Sequence, residues 1–401
     1  HWGVCNPGIH LGNPHLFQWS ILDVSDLTDA SGTQWVRERI AARFSELMGA
    51  TADFTTVRHE GRLPLDTETL LNALNVGSAY VLSAHLQRFD GQAGSIVIDV
   101  VDTEGGERVN ELSGHTDFTM ENLDAGITAW VNKAVLHFAG RPGLLGARIA
   151  CVRRLEPGVK EIYLLKFGDF EVTPLTHDGS LALLPSWTPD GRVAFTSYRQ
   201  ERPKIFIHGT TAAFTEFDGM NSGIEWSLDG SMAAVTLSMD GNSEIYLLEG
   251  TTGAVRARLT YHPGIDTSPS WSPDGNGIAF CSDREGTPQI YVMNVDGSDK
   301  QRLTLIGNYN TSPDWHPFGP HLAFAGRIGG EFQVFRMDLE DGSTHQLTYG
   351  PGDCEGPDWS PDGRLIVCAC GSRNSQNIYV MNPDGSGKRA ITIDDGPYYA
   401  P

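Results

Sequence analysis

The stretch SPSWSPDGNGIAFCSDREGTPQIYVMNVDGSDKQRLT, residues 268–304, contains every part of a unit that recurs along the chain. A tryptophan precedes a Pro-Asp-Gly turn, one apolar run begins at Ile278, another begins at Gln289, and Arg302–Thr304 ends the unit. A period of about 40 to 45 residues with four short apolar runs is typical of a β-propeller blade. The tryptophan recurs at spacings of 39, 45, 44 and 44 residues, at Trp187, Trp226, Trp271, Trp315 and Trp359.

The two ends of the repeat region complete each other. Residues 147–177 match the second, third and fourth strands of a unit but have no first strand before them. GPYYAP, residues 396–401, is similar to the segment that precedes each tryptophan. We therefore expect residues 147–401 to form an all-β six-bladed propeller closed by both chain ends, which removes unpaired sheet edges.

The repeated residues have a structural explanation. Tryptophan fills the space between blades, and Asp-Gly supplies the backbone of a turn. Calcium binding at the turn aspartates is not favoured, because none of them begins the spacing of an EF-hand loop. These aspartates are Asp190, Asp229, Asp274 and Asp362.

The first 140 residues are expected to form an α+β domain, with residues 1–32 flexible and 141–146 a hinge. A strand-rich segment from Ala79 to Thr116 lies between helical patterns, and LDTETLLNALN from Leu65 predicts a further short helix. The helix from Thr33 is expected to bury Trp35, Val36, Ile40, Phe44 and Leu47, and the helix from Asn122 to bury Ile127, Trp130, Val131, Ala134, Val135 and Phe138.

Composition excludes several classes of function. With 29 Lys and Arg against 50 Asp and Glu, the net charge of −21 repels nucleic acid. No apolar run approaches the roughly 20 residues that span a bilayer. His and Cys spacing predicts no metal site, and we expect no cofactor.

The six cysteines are interpreted mainly as buried free thiols, with disulfides the less favoured alternative. Cys368 and Cys370 lie two apart on one strand, a geometry that disfavours a bond between them. The others are Cys5, Cys151, Cys281 and Cys354.

Enzymatic motifs are missing. The sequence contains no GxSxG, HExxH or GxxxxGKS motif, and it has no room for the hydrolase domain of a propeller peptidase. A protein-binding function is favoured. A propeller enzyme of unknown substrate, or a propeller that binds a carbohydrate or other solute, remains the alternative.

The segments FAGRPGLLGARIACVRR from Phe138 and LLPSWTPDGRVAFTSYRQ from Leu183 resemble the TolB family of periplasmic propeller proteins. The similarity covers residues 33 to 401, whereas residues 1–32 depart from the family's usual opening strand. The resemblance implies a monomeric, non-enzymatic component of the Tol-Pal system of Gram-negative bacteria. It implies that the propeller mouth binds the lipoprotein Pal and the N-terminal region TolA, which supports outer-membrane integrity and cell division.

Repeat geometry and this resemblance together predict where the partner binds. The segment before each tryptophan enters the innermost strand of a blade, so these segments surround one mouth of the channel. Their polar, acidic and tyrosine side chains suit a protein interface. The predicted contact residues are Asn221, Ser222, Asp266, Thr267, Asn310, Thr311, Asp353, Glu355, Tyr398 and Tyr399.

Overall fold

The structure is a computed structural model that describes residues 17–22, 25–26, 34–50, 54–59, 79–139, 143–168, 170–305, 307–372, 375–392 and 397–399. The chain divides into two compact units, His1–Gly146 and Ala147–Pro401. The short helix predicted from Leu65 lies outside the described residues. In the part of the chain that is described, no helix is both long and apolar enough to cross a membrane.

The described residues of the first unit form a mixed sheet and two helices. Its strands lie in the order β3-β1-β4-β5-β6, and β2 pairs with β4. Strand β1 is parallel to β3 and β4, while β4, β5 and β6 are antiparallel. The elements are β1 (Phe17–Leu22), β2 (Ser25–Asp26), α1 (Gln34–Ala50), β3 (Phe54–His59), β4 (Tyr80–Phe89), β5 (Ala93–Asp102), β6 (Gly114–Thr119) and α2 (Leu123–Ala139).

Two expectations for this unit were wrong in part. Residues 17–22, expected to be flexible, form a strand of the sheet. Val36, Ile40, Phe44 and Leu47 are buried as predicted, but Trp35 is 50% exposed. Trp35 lies in the first turn of the helix, where its ring packs against Phe89 edge to face at 5.9 Å and leaves half of its surface in solvent.

The second unit consists of six four-stranded sheets, and five of them are built from consecutive strands. Sheet 1 contains β10 (Ala182–Trp187), β11 (Val193–Ser197), β12 (Lys204–Ile207) and β13 (Ala213–Thr215). Sheet 2 contains β14 (Asn221–Trp226), β15 (Met232–Leu237), β16 (Glu244–Glu249) and β17 (Val255–Arg258). Sheet 3 contains β18 (Asp266–Trp271), β19 (Gly277–Ser282), β20 (Gln289–Asn294) and β21 (Gln301–Arg302). Sheet 4 contains β22 (Asn310–Trp315), β23 (His321–Ile328), β24 (Glu331–Asp338) and β25 (Thr344–Gln346), and sheet 5 contains β26 (Asp353–Trp359), β27 (Ile366–Ser372), β28 (Ser375–Met381) and β29 (Arg389–Ala390).

Sheet 6 takes its strands from distant parts of the sequence. Strand β30 (Tyr398–Tyr399) pairs with β7 (Arg148–Glu156), followed by β8 (Val159–Lys166) and β9 (Val172–Pro174). Tyr398 lies opposite Arg153, and Tyr399 opposite Val152. Strand β30 also contacts β28 of sheet 5, and β10 of sheet 1 contacts β7 and β8.

Neighbouring sheets pack through apolar side chains, among which the repeated tryptophans lie. Trp271 of sheet 3 packs with Ala234 and Ile245 of sheet 2, and Trp359 of sheet 5 packs with Ala323 and Val334 of sheet 4. The tryptophans therefore fill the space between sheets, as their sequence context predicts.

The cysteines differ from the favoured expectation. Cys354 on β26 and Cys370 on β27 are register partners and form a disulfide. Spacing along the sequence could not reveal this pair, because it depends on the pairing of two strands. Cys151, Cys281 and Cys368 are buried and form no disulfide among the described residues.

Candidate functional site

The first strands of five sheets lie next to one another. Strands β10, β14, β18, β22 and β26 contact one another in this order. The N-terminal ends of the first strands, together with the loops that lead into them, form the surface that we call the mouth. The predicted contact residues belong to this surface.

Four of the predicted residues stabilise the mouth from within. Asn221, Asp266, Asn310 and Tyr398 are buried. Asn221 donates a hydrogen bond from Nδ2 to the Phe217 carbonyl oxygen at 2.7 Å. Asp266 accepts one from Arg284 at 2.8 Å, and Asn310 donates one to Gln289 at 2.8 Å. Their side chains are used inside the fold, so a partner at the mouth would not meet them directly.

Ser222, Thr267 and Thr311 follow these anchors and are partly exposed. The backbone is left-handed at the third or fourth residue of each of five first strands, β10, β14, β18, β22 and β26. Ser268 and Ser312 have φ values of 54° and 51°, at the point where the register with the second strand shifts. These bulges break the alternation of the strand and let its first residues turn toward the mouth.

Three predicted residues line one pocket. Asp353 and Glu355 on β26 meet Tyr399 on β30 around a cavity of about 180 Å³. Arg327, Gly330, Phe332 and Gln376 complete its wall. Asp353 Oδ1 accepts a hydrogen bond from the Phe332 backbone N–H at 2.9 Å, which holds its carboxylate at the rim. The pocket therefore draws on sheets 4, 5 and 6.

Sequence reasoning missed a set of exposed apolar side chains around the mouth. They lie in the loops between the fourth strand of one sheet and the first strand of the next. The sequence does contain a signal for them. A large apolar residue follows the repeated Leu-Thr, or comes directly before the first strand of the next sheet. Exposed aromatic and aliphatic side chains that lie close together are typical of protein-binding surfaces. These residues are Tyr261, Ile265, Leu305, Tyr309 and Tyr349.

Three carboxyl groups on first strands were also missed. Glu225, Asp314 and Asp358 each stand directly before a repeated tryptophan, where the other two units have Ser186 and Ser270. Asp314 accepts a hydrogen bond from the Trp359 backbone N–H at 2.6 Å. The change from serine to acid at this position is the signal that could have identified them.

The protein around these groups changes their protonation. Glu225 and Asp314 are half-buried and Asp358 is exposed, and the protein atoms around each group reduce the solvation of a negative charge. Loss of solvation raises the pKa of Glu225 to about 8, and the charge of Asp358 adds to this. Loss of solvation also raises the pKa of Asp358 to about 6 and that of Asp314 well above its usual value, the latter with help from Asp358 and Glu225.

The turn aspartates have local roles instead. Ser272 donates a hydrogen bond from its hydroxyl to Asp274, and the same hydroxyl accepts one from the Gly277 N–H at 2.8 Å. Gly275, next to Asp274, has a φ of 71°, which favours glycine. Among the described residues, no group of three or more His, Cys, Asp or Glu side chains could hold a metal ion.

The family profile described as "TolB beta propeller domain" matches residues 136–401. The chain belongs to the TolB propeller family. Among relatives, the Tol-Pal system protein TolB of Desulfosudis oleivorans is 41% identical over 125 residues, which cover 30% of this chain and 28% of that protein. A TolB homolog of Chlorobium chlorochromatii is 37% identical over 150 residues, 37% of this chain and 34% of that protein. The chain thus aligns with about a third of the length of these TolB relatives.

Solved structures extend the likeness of fold. TolB from Acinetobacter baumannii superposes with a TM-score of 0.79 over 96% of both chains, at 24% identity. At this identity the match shows that the TolB-family chain shares the fold, an N-terminal region followed by a propeller.

Proposed function

We propose that this TolB-family chain is a non-enzymatic, monomeric, periplasmic component of the Tol-Pal system that binds Pal at the mouth. The name "Tol-Pal system protein TolB" of its relative supports membership of that system. TolA is the proposed partner of the N-terminal region. Through these partners the protein would support outer-membrane integrity and cell division.

The observation that carries the proposal is the composition of the mouth. Partly exposed polar residues such as Thr267, Thr311 and Glu355 are surrounded by exposed tyrosines and leucine. A polar centre with aromatic anchors provides directional hydrogen bonds and buried area, the combination found in specific interfaces.

We further propose that the six sheets are the blades of one closed ring. The contact of β30 with β28 and the pairing of β30 with β7 support this, since one short strand joins the last sheet to the first. The division of the chain near Gly146 supports a propeller that begins at residue 147, after a linking segment at 141–146.

Isothermal titration of the purified chain with the soluble domain of Pal tests the function. We expect one-to-one binding, roughly micromolar or tighter. Tyr399→Ala or Glu355→Ala should weaken binding by about 1 to 3 kcal/mol while leaving the melting temperature nearly unchanged.

Asp296→Ala is the matched control, because Asp296 lies on an exposed turn between outer strands and bonds only locally to Ser298. Titration of Pal without any heat or saturation would contradict the proposal. Turnover of ester or glycoside substrates, or specific retention on a sugar array, would instead favour an enzyme or a solute-binding propeller.

A further inference from the structure

The pocket formed by Asp353, Glu355 and Tyr399 has the chemistry of a receptor for a positively charged group. Two carboxylates and two aromatic rings, Phe332 and Tyr399, line the same cavity. Because a water molecule takes about 30 Å³, a cavity of about 180 Å³ has room for one long side chain.

Both carboxylates are held in place by neutral donors. Asp353 accepts from the Phe332 backbone N–H at 2.9 Å, and Glu355 accepts from the Gln376 side-chain amide at 3.4 Å. These hydrogen bonds orient the two carboxylates, so the pocket wall presents fixed carboxylate oxygens to a ligand.

The aromatic rings contribute in the same direction. The ammonium group of Lys160 lies 4.1 Å from the centroid of the Tyr399 ring, and the guanidinium group of Arg327 lies 5.9 Å from that of Phe332. Both rings thus already contact cations of the chain itself. Aromatic faces beside carboxylates favour ammonium and guanidinium groups over neutral or anionic ones.

Among the described residues, Arg327 is the one cationic residue that lines the pocket, and the ammonium group of Lys160 lies beside it on the Tyr399 ring. The Nε of Arg327 donates to the Gly330 carbonyl oxygen at 3.0 Å, which ties the guanidinium to its own hairpin at the rim. Its charge opposes the entry of a second cation.

We propose that this pocket receives a lysine or arginine side chain of the protein partner that binds the mouth. The inference rests on the proposed function for the identity of that partner, Pal. The net charge of −21 of the chain agrees with a basic contact on the partner.

Two substitutions of opposite charge test the proposal with Pal. Glu355→Gln keeps the side-chain shape and removes the charge, so it should weaken binding about 10-fold, and less at high salt. Arg327→Gln removes the opposing cation and should tighten binding about 2- to 3-fold. If Arg327→Gln weakens binding, the pocket accepts an anionic group; if Glu355→Gln has no effect, the pocket is not used. Either result overturns the inference while leaving Pal binding intact.

A second experiment does not depend on Pal. Ligand-observed NMR should detect binding of N-acetyl-lysine methylamide or N-acetyl-arginine methylamide to the wild-type chain. The Nε-acetylated lysine analogue, which is uncharged, should not bind, and Glu355→Gln should abolish the signal of the charged probes. Probe binding without Pal binding would reject the proposed function alone, whereas equal binding of charged and neutral probes would reject the pocket's selectivity. If Glu355→Gln fails to fold, Tyr399→Leu takes its place, with the same loss expected.

Discussion

The side chains of Glu225, Asp314 and Asp358 come from sheets 2, 4 and 5, yet they influence one another's charge. Asp358 raises the pKa of Glu225, and both of them raise that of Asp314. Glu225 and Asp358 are on sheets that are not neighbours along the chain, so their interaction joins distant parts of the sequence. Loss of solvation is the largest cause of the raised pKa of both Asp314 and Asp358.

This arrangement predicts that the free energy of unfolding falls as pH rises. Below about pH 4 these carboxyl groups are protonated in both the folded and the unfolded chain. Between about pH 4 and the raised values, about 6 for Asp358 and about 8 for Glu225, the folded state binds more protons, so stability decreases as pH increases. Urea unfolding at pH 5 and pH 8.5 should show the loss, and Asp358→Asn combined with Glu225→Gln should reduce it.

Asp190→Asn is the control for that experiment. Hydrogen bonds from Arg192 and Thr188 lower the pKa of Asp190 to about 2, so this group stays ionised over the whole range. Its substitution should leave the pH dependence unchanged. If the pH dependence of stability were equal in the wild type and the double variant, the raised pKa values of Glu225 and Asp358 would not be its cause.

Each strand pair at the outer side of a sheet is joined by a threonine that follows the fourth strand or lies at its end. The Thr304 hydroxyl accepts from the Ile290 backbone N–H at 2.9 Å and donates to Gln289 at 2.7 Å. Thr348 makes the same two bonds, to Val334 and Gln333. This geometry gives a physical reason for the Leu-Thr that recurs in the sequence. The other threonines that accept from the third strand are Thr176, Thr215, Thr260 and Thr392.

Thr304→Val should therefore destabilise the propeller by about 1 to 3 kcal/mol, because it leaves a buried N–H and a buried amide oxygen without this partner. The measurement is urea unfolding followed by tryptophan fluorescence. Thr344→Val, on the exposed strand β25, serves as the control and should change stability by less than about 0.5 kcal/mol. Equal effects at both positions would show that the hydroxyl bond does not stabilise the sheet.

The strands were predictable because each has a local signal. Val193–Ser197 is an apolar run bounded by turn residues, and Asp-Gly fixes the hairpin before it. Features that depend on two distant segments were not predictable in this way. Cys354 and Cys370 pair through strand register. The half-exposed position of Trp35 was not predictable, because helical periodicity does not show which segment covers the first turn of the helix.

The candidate site was predictable in position and less so in detail. The repeat places Asp266 and Glu355 near the N-terminal ends of their first strands. The alternation of side chains along a strand cannot show which of the two is buried. A salt bridge with Arg284, 18 residues away, holds Asp266 inside, whereas Glu355 lines a pocket. The bulges at Ser268 and Ser312 interrupt the alternation of side chains between the two faces of the strand, so the two-residue period does not predict burial there.

The propeller unit as a whole depends on its last residues if the ring is closed by β30. Tyr398 is fully buried, and the Arg153 guanidinium lies 5.3 Å from its ring centroid. Deletion of residues 398–401 should lower the melting temperature by several degrees, because it removes the inner strand of sheet 6 and exposes the edge of β7. Differential scanning calorimetry measures this directly.

Tyr349→Ala is the control for the deletion. This tyrosine is 72% exposed, so its substitution removes a tyrosine side chain but leaves every strand in place. Its melting temperature should stay within about one degree of the wild type. A deletion variant that melts like the wild type would mean that β30 does not close the ring.

Site-specific photo-crosslinking tests most directly whether the mouth is the partner-binding surface. A photo-reactive phenylalanine analogue is placed at Thr267 or Thr311, which are partly exposed at the mouth, and at the exposed turn residue Asp296. After irradiation with Pal, we expect a crosslinked product from Thr267 and Thr311 and none from Asp296. Crosslinking from Asp296 alone, with Pal bound and the two mouth positions unreactive, would contradict a partner-binding mouth.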